Sequence, residues 1–260
     1  MAALATLARR GKTLALPRAA SGPALAKVSL ADVGTEDGAK RALAAAGLPV
    51  LPEQLCTSAA ACAQAAKSMG FPVVAKIVSP DIAHKTEVGG VMLNLQNADA
   101  VSAAYDELMA RARRAMPQAR LEGVLIAPML RGGVEVILGI HRDPTFGPMV
   151  MYGSGGTAVE LFQDVAFASA PLSNERAGQL LERVRSTRLL RGWRGAPACD
   201  EGALVNALMK LSEFAAAHAD QIESVDINPL VVRTEGAACL DAAIPLRTPA
   251  GEMAGAAHGH

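Results

Sequence analysis

The stretch that most constrains this chain is Val73-Val-Ala-Lys-Ile-Val78, an apolar run broken by one charge, Lys76. Its length and β-branched content predict a buried strand. A lysine in the middle of such a strand is costly unless an anion meets it. A nucleotide phosphate is one such anion, and lysine serves phosphate as a compact point charge. The alternative is a lysine that snorkels from an edge strand. The loop that follows carries His84, Lys85 and the pair Gly89-Gly90. A neutral imidazole is a nucleophile toward phosphorus, although a lone surface histidine is the commoner reading. A glycine pair lets backbone amides approach phosphate oxygens.

The rest of the chain predicts helices and strands in mixed order. Thr35 caps a helix to about Ala46, ended by Gly47, and Ser58 caps another that ends at Gly70. Leu48–Pro52 between them is too proline-rich for helix and reads as extended. A helix over Asp99–Met116 places Val101, Tyr105, Leu108 and Ala112 on one face. Ser173 starts a helix to about Arg185, and Asp200 a longer one to about Ala219. Strands are expected at Gly90–Leu95, Gly123–Met129, Val134–Ile140, Pro148–Tyr152, Ile222–Val232 and Ala238–Ile244, the last two joined by a turn at Glu235-Gly236. No βαβ rhythm repeats, which favours α+β lobes over a doubly wound sheet. Pro128, Gly132 and Gly133 mark a joint between two lobes, and a cleft between lobes is a common ligand site.

Composition excludes some functions. Lys+Arg and Asp+Glu are both 25 among 260 residues, so there is no basic excess for nucleic acid. Aromatic residues are 3%, too few for a base-stacking platform. No apolar run approaches the roughly 20 residues of a membrane span. Cys56, Cys62, Cys199 and Cys239 form no CxxC pair and read as reduced thiols of a cytoplasmic protein. Residues 1–31 contain five basic residues and no acid before Asp32, which suits either a targeting peptide or an unstructured leader. The Gly/Ala-rich segment from 247 to 260 reads as a frayed tail.

Three further features could carry chemistry. Asp226-Ile-Asn-Pro-Leu230 and Leu240-Asp241 offer an amide oxygen and carboxylates, hard donors suited to Mg²⁺. A capped turn before Pro229 is the plainer reading. Glu135, an acid inside an apolar strand, calls for a partner such as a ribose hydroxyl, a lysine or a backbone amide. Gly153-Ser-Gly-Gly156, with Glu160 and Asp164 behind it, is a second glycine loop or simply a turn.

Taken together, FPVVAKIVSPDIAHKTEVGGV (71–91), GVEVILGIHRDPTFGPMVMYGSGGTAVELFQDVAFASAPL (133–172), LLRGWRGAP (189–197) and VDINPLVV (225–232) resemble the ATP-grasp domain of nucleoside-diphosphate-forming acyl-CoA synthetases. This is the ADP-forming acetyl-CoA synthetase family, related to the β subunit of succinyl-CoA synthetase. The resemblance covers about residues 32–246. It implies an α+β ATP-grasp fold with a first lobe over 32–129 and a second over 130–246, the nucleotide lying between them.

The resemblance also implies roles. Lys76 would meet the α-phosphate side of ATP. The loop from Ile82 to Gly90, with Lys85, Gly89 and Gly90, would cover the β- and γ-phosphates. Ile126, Ala127 and Met129 would form the hinge that reads adenine through backbone groups, with Ala127 where the family usually has a polar side chain. Glu135 would hold the ribose, Gly155 and Gly156 would line the nucleotide, and Asn228 and Asp241 would hold Mg²⁺. Ser224 stands where the family commonly has an acid; here the acid is its neighbour, Glu223. His84, with Lys85, would serve catalysis as a phosphate relay to a histidine on another domain. The implied reaction is acid + CoA + ATP ⇌ acyl-CoA + ADP + phosphate, through an acyl phosphate and a phosphohistidine. No GxGxxG fingerprint is present, so the CoA-binding and ligase domains are expected elsewhere: on an α-type partner subunit if this is a separate β-type subunit, or in the other part of a fused enzyme if this is its C-terminal portion. A non-catalytic nucleotide-binding regulatory module and a stand-alone ATP-grasp carboxylate ligase are the alternatives.

Overall fold

A computed structural model describes residues 27–82, 85–155 and 164–247. Its elements divide between two antiparallel sheets. The first has the order β1-β4-β2-β3, built from Gln54–Cys56 (β1), Val73–Val78 (β2), Val91–Leu95 (β3) and Gly123–Pro128 (β4). Helices Ala59–Met69 (α2) and Ala98–Ala115 (α3) cover one face of it. Val73, Ala75 and Ile77 alternate into that core with Val124 and Ile126 of β4, and meet Ala65, Val101 and Leu108 from the helices. Strict alternation sends Lys76 to the other face, where it pairs with Leu125 of β4 and Val91 of β3. The snorkelling-edge reading does not hold, because β2 lies between β4 and β3.

The second sheet has six strands in the order β10-β8-β5-β6-β7, with β9 also paired to β8. They are Val134–Asp143 (β5), Gly147–Ser154 (β6), Val165–Ser169 (β7), Ser224–Val232 (β8), Ala237–Cys239 (β9) and Ala242–Ala243 (β10). Helices Asn174–Glu182 (α4) and Glu201–Ala217 (α5) pack on it through Leu180, Leu181, Leu204, Leu208 and Leu211. Tyr152, fully buried, spends its hydroxyl on Thr187 at 3.1 Å.

The expected caps are in place. Thr35, Ser58, Ser173 and Asp200 each accept a backbone N–H in the first turn of the helix that follows. The helix begun by Thr35, Glu36–Ala45 (α1), packs differently from the expected division of the chain. Val33, Ala39, Ala42, Leu43 and Leu48 join the larger core of the second sheet rather than that of the first. The chain then crosses over through Pro49, whose carbonyl accepts Cys239 N–H at 2.7 Å, before entering β1. The anticipated strand over Ala238–Ile244 is interrupted at Leu240-Asp241, which leave the ladder between β9 and β10. Asn228-Pro229 is not a turn: both residues lie within β8, where they form a bulge, the two of them standing against Ile137 alone between the pairs Val136–Leu230 and Leu138–Ile227.

Among the described residues no helix is long and apolar enough to cross a membrane. The four cysteines are free thiols.

Candidate functional site

A cleft of about 370 Å³ is lined by Lys76, Lys85, Thr86, Glu87 and Val91 from the first sheet and its loop, and by Glu36 and Asp241 from the larger body. It is a polar site between two lobes. Glu36 is at its centre, placed by the first turn of α1 immediately after the Thr35 cap. An acid suits that position because the helix N-terminus carries partial positive charge.

Three ammonium groups converge on this carboxylate. Lys40, one helical turn on, donates to Glu36 Oε1 at 2.7 Å, and Lys76 donates to the same oxygen at 3.2 Å. Lys85 contacts Oε2. Lys40 also holds Glu53 at 2.9 Å, and its side chain is almost fully buried. Burial alone would raise the Glu36 pKa; the charges of Lys76, Lys40 and Lys85 outweigh it and hold the carboxyl down at about 2. Burial likewise works against the charge on Lys40, but Glu36 and Glu53 keep its pKa above the ordinary value. The anion that Lys76 requires is thus supplied by the protein itself. Lys76 also donates to the Leu240 carbonyl at 3.2 Å.

The break at Leu240-Asp241 organises the opposite wall. Leu240 N–H donates to the Pro229 carbonyl at 3.0 Å, and Asn228 N–H to the Asp241 carbonyl at 3.2 Å. The two residues expected to hold Mg²⁺ are therefore adjacent across neighbouring strands. Asp226, one strand repeat before Asn228, joins them on the exposed side of β8. Partial desolvation by the surrounding protein, then the charge of Glu36, raises the Asp241 pKa; partial desolvation, then Asp241, raises that of Asp226. Oxygen donors whose negative charges repel one another suit a hard divalent cation. Among the described residues no three His, Cys, Asp or Glu side chains form a closed cage. An ion here would complete its shell from phosphate and water, as Mg²⁺ does with nucleotides.

The glycines behave otherwise than expected. Gly89 N–H donates to the Thr86 carbonyl at 3.1 Å and Gly90 N–H to that of Lys85 at 2.7 Å, so both amides turn into the loop instead of toward a ligand. A Cβ on Gly90 would lie 2.5 Å from Ile77 Cγ2. This glycine is required because the loop folds back against the strand. Gly155 is similar: its N–H donates to the Glu135 carbonyl at 3.0 Å, and a Cβ there would lie 2.5 Å from that residue's carbonyl carbon. Asp164 caps backbone, accepting from Arg185 N–H at 2.9 Å and Ser186 N–H at 2.7 Å.

Glu135 is exposed, so water solvates its carboxylate, and the expected need for a partner falls away. It shares with Ile137 and Gly139 the face of β5 turned away from Val136 and Leu138, and Gly139 is the register partner of Asp226. Ile126 is fully buried in the first core between β1 and β2. The strand β1 stops opposite Ile126, so Ala127 and Pro128 are paired by β2 alone. Met129 N–H donates to the Pro72 carbonyl at 3.0 Å. His84, Gly156 and Glu160 lie outside the described residues, as do residues 1–26 and 248–260, where most of the expected leader and tail fall.

Sequence reasoning missed Glu36 and Lys40. The signal was present in their i,i+4 spacing after a cap, but it reads as an ordinary surface pair until Lys76 and Lys85 are brought to it.

Comparison with known proteins agrees with this geometry. A family model described as an ATP-grasp domain matches residues 27–246. The β subunit of acetate–CoA ligase (ADP-forming) II from Pyrococcus furiosus is 38% identical over 211 residues, 80% of this chain and 89% of that subunit. Acetate–CoA ligase (ADP-forming) I from Archaeoglobus fulgidus is 40% identical over 199 residues, 76% of this chain but 29% of that longer protein. Among solved structures, dinucleotide-forming acetyl-coenzyme A synthetase 1 of Korarchaeum cryptofilum, in complex with coenzyme A and Mg-AMPPCP, superposes with a TM-score of 0.72 at 37% identity, covering 82% of this chain and 92% of that one. The chain belongs to the ATP-grasp family, in the group formed by the β subunits and β-type regions of ADP-forming acetate–CoA ligases.

Proposed function

We propose that this chain is the nucleotide-binding subunit of an ADP-forming acyl-CoA synthetase, passing a phosphoryl group between ATP or ADP and a histidine on a partner polypeptide. The observation that carries the reading is the convergence of Lys76 and Lys85, from a strand and the loop after it, on a cleft whose other wall holds Asp241. Phosphoryl transfer asks mainly for charge neutralisation and alignment of the reacting oxygens. Two lysines on one side and oxygen donors on the other meet those needs.

Lys76 is assigned to the α-phosphate side and Lys85 to the β- and γ-phosphates. The backbone of Ala127 to Met129, where β1 no longer pairs, is assigned to the adenine edge. Glu135 is assigned to the ribose hydroxyls and Gly155 to the wall beside them. Asn228 and Asp241 would hold Mg²⁺, which neutralises charge on the phosphate oxygens. His84 is assigned to the relay. Gly89 and Gly90 shape the loop, and their amides reach phosphate only if its internal hydrogen bonds open.

The partner is an α-type subunit with CoA-binding and phosphohistidine domains. Two findings support it. The Pyrococcus furiosus relative is itself a β subunit, and the Korarchaeum cryptofilum enzyme has a phosphohistidine segment pointing towards the nucleotide binding site. The test is turnover of the full chain mixed with such a subunit, ATP, Mg²⁺, CoA and a carboxylic acid. ADP release above that of a Lys76→Ala control is expected. Nucleotide binding without any release would favour a regulatory module, and release without the partner a stand-alone ligase.

A further inference from the structure

The lysines assigned to phosphate already share an anion. Each oxygen of Glu36 takes one of them, Oε1 meeting Lys76 and Oε2 meeting Lys85. The three lysines are not equivalent. Lys40 is 3% exposed in its side chain, while Lys76 and Lys85 are each 19% exposed and line the cleft. Glu36 therefore has a buried anchor in Lys40 and a working edge toward the two accessible lysines. Glu53, the second carboxylate on Lys40, secures the anchor from behind.

We propose that Glu36 is a built-in competitor of phosphate: it holds Lys76 and Lys85 together by charge, and an anion binds only by taking both from it. This rests on the assignment of these lysines to phosphate made above. The argument is one of charge and reach. Lys76 and Lys85 repel one another, and a shared carboxylate cancels that repulsion. An incoming phosphate gains only the difference between its own interactions and those that Glu36 gives up. A monophosphate offers few interactions to set against a two-oxygen carboxylate already in position. A polyphosphate spans both lysines at once, and Lys40 keeps Glu36 compensated after the exchange. Glu36 thus sets specificity for polyphosphate over inorganic phosphate.

The test is calorimetric titration of the full chain with inorganic tripolyphosphate and with inorganic phosphate at fixed ionic strength. In Glu36→Gln, inorganic phosphate should bind about tenfold tighter, the order of one charge-assisted hydrogen bond, and the gap between the two anions should narrow. Glu36→Asp, which keeps the charge, should stay near wild type. Damage to the fold alone can only weaken binding, so a gain in affinity separates competition from a structural role. Should Glu36→Gln melt too early to titrate, its melting temperature should rise with tripolyphosphate by more than that of the wild type. Unchanged or weaker anion binding, or no larger thermal shift, overturns the proposal while leaving the nucleotide site intact. A wild-type chain that binds neither ATP nor tripolyphosphate overturns both.

Discussion

Lys76 Nζ lies 3.2 Å from the Leu240 carbonyl oxygen, which fastens the charged position of the first sheet to the residue beside Asp241. One side chain thus spans the cleft from a strand of one lobe to an irregular segment of the other. Its ammonium is shared between that carbonyl and Glu36, so Lys76 couples the positions of both walls.

Replacement of Lys76 by methionine should therefore lower both affinity and stability. The side chain keeps its packing but leaves Glu36 to Lys40 and Lys85 and the Leu240 carbonyl without its donor. Removing one partner from a partly buried charged pair costs about 2 kcal/mol or more. Calorimetry with Mg-ADP should show at least about tenfold weaker binding, and thermal melting a lower midpoint. Unchanged Mg-ADP affinity would remove Lys76 from the phosphate site.

Acid should reveal the Glu36 cluster. Its carboxyl is held at about 2 in the fold against 4.5 as the ordinary value. A depressed carboxylate contributes stability that is fully present above about pH 4.5 and is lost as pH falls toward 2. Glu53, Asp226 and Asp241 are shifted upward and act in the opposite sense near their own titrations. The clean measurement is thus a difference. Glu36→Gln should be less stable than wild type by about 2–3 kcal/mol at pH 6, and the gap should close as pH approaches 2. Denaturant melts at both pH values check this; a gap independent of pH would show that the charge of Glu36 adds nothing.

The strand that carries Lys76 was legible because Val73, Ala75 and Ile77 alternate with it, and a buried face leaves little choice of register. The helix caps were legible for a similarly local reason. Glu36 was not, because its meaning depends on Lys76, 40 residues away, and an acid after a cap is already explained by the helix. The short strand Gln54–Cys56 carries no periodic signal. Gly89, Gly90 and Gly155 show a different limit. Glycine reports that a backbone must turn or be approached closely, without saying by what. Here the approaching groups are Ile77, Arg111 and the Glu135 backbone. The break at Leu240-Asp241 is set by hydrogen bonds across to Asn228 and Pro229 of β8, which no local pattern encodes.

Two glycines should respond in opposite directions to alanine. At Gly155 the new methyl would stand 2.5 Å from the Glu135 carbonyl carbon, so β5 or the loop must shift, at about 1–3 kcal/mol. At Gly178, in the middle of α4, nothing lies within 4 Å of the added carbon. Alanine there should stabilise by about 0.5–1 kcal/mol through helix propensity. Denaturant melts of the two variants test the packing. Equal effects would contradict the close approach of Gly155 to β5.

Asp241→Asn should separate stability from metal-dependent binding. Its carboxylate faces Glu36 and Asp226, and partial desolvation together with the Glu36 charge outweighs Lys76, Lys85 and Lys40 and makes its ionised form less favourable in the fold. The amide is nearly isosteric and removes that repulsion, so the chain alone should melt slightly higher, by under about 1 kcal/mol. The same change takes a hard anionic donor from the proposed Mg²⁺ position. The Mg²⁺ concentration that half-saturates nucleotide binding should rise about tenfold or more. Asn228→Ala removes a neutral donor from the same place, so it should also raise the Mg²⁺ requirement but without the gain in stability. Titrations of ADP binding against Mg²⁺, paired with melts of the metal-free chain, read both effects. A half-saturating Mg²⁺ concentration unchanged in Asp241→Asn would exclude Asp241 as a ligand, whatever the melting temperature does.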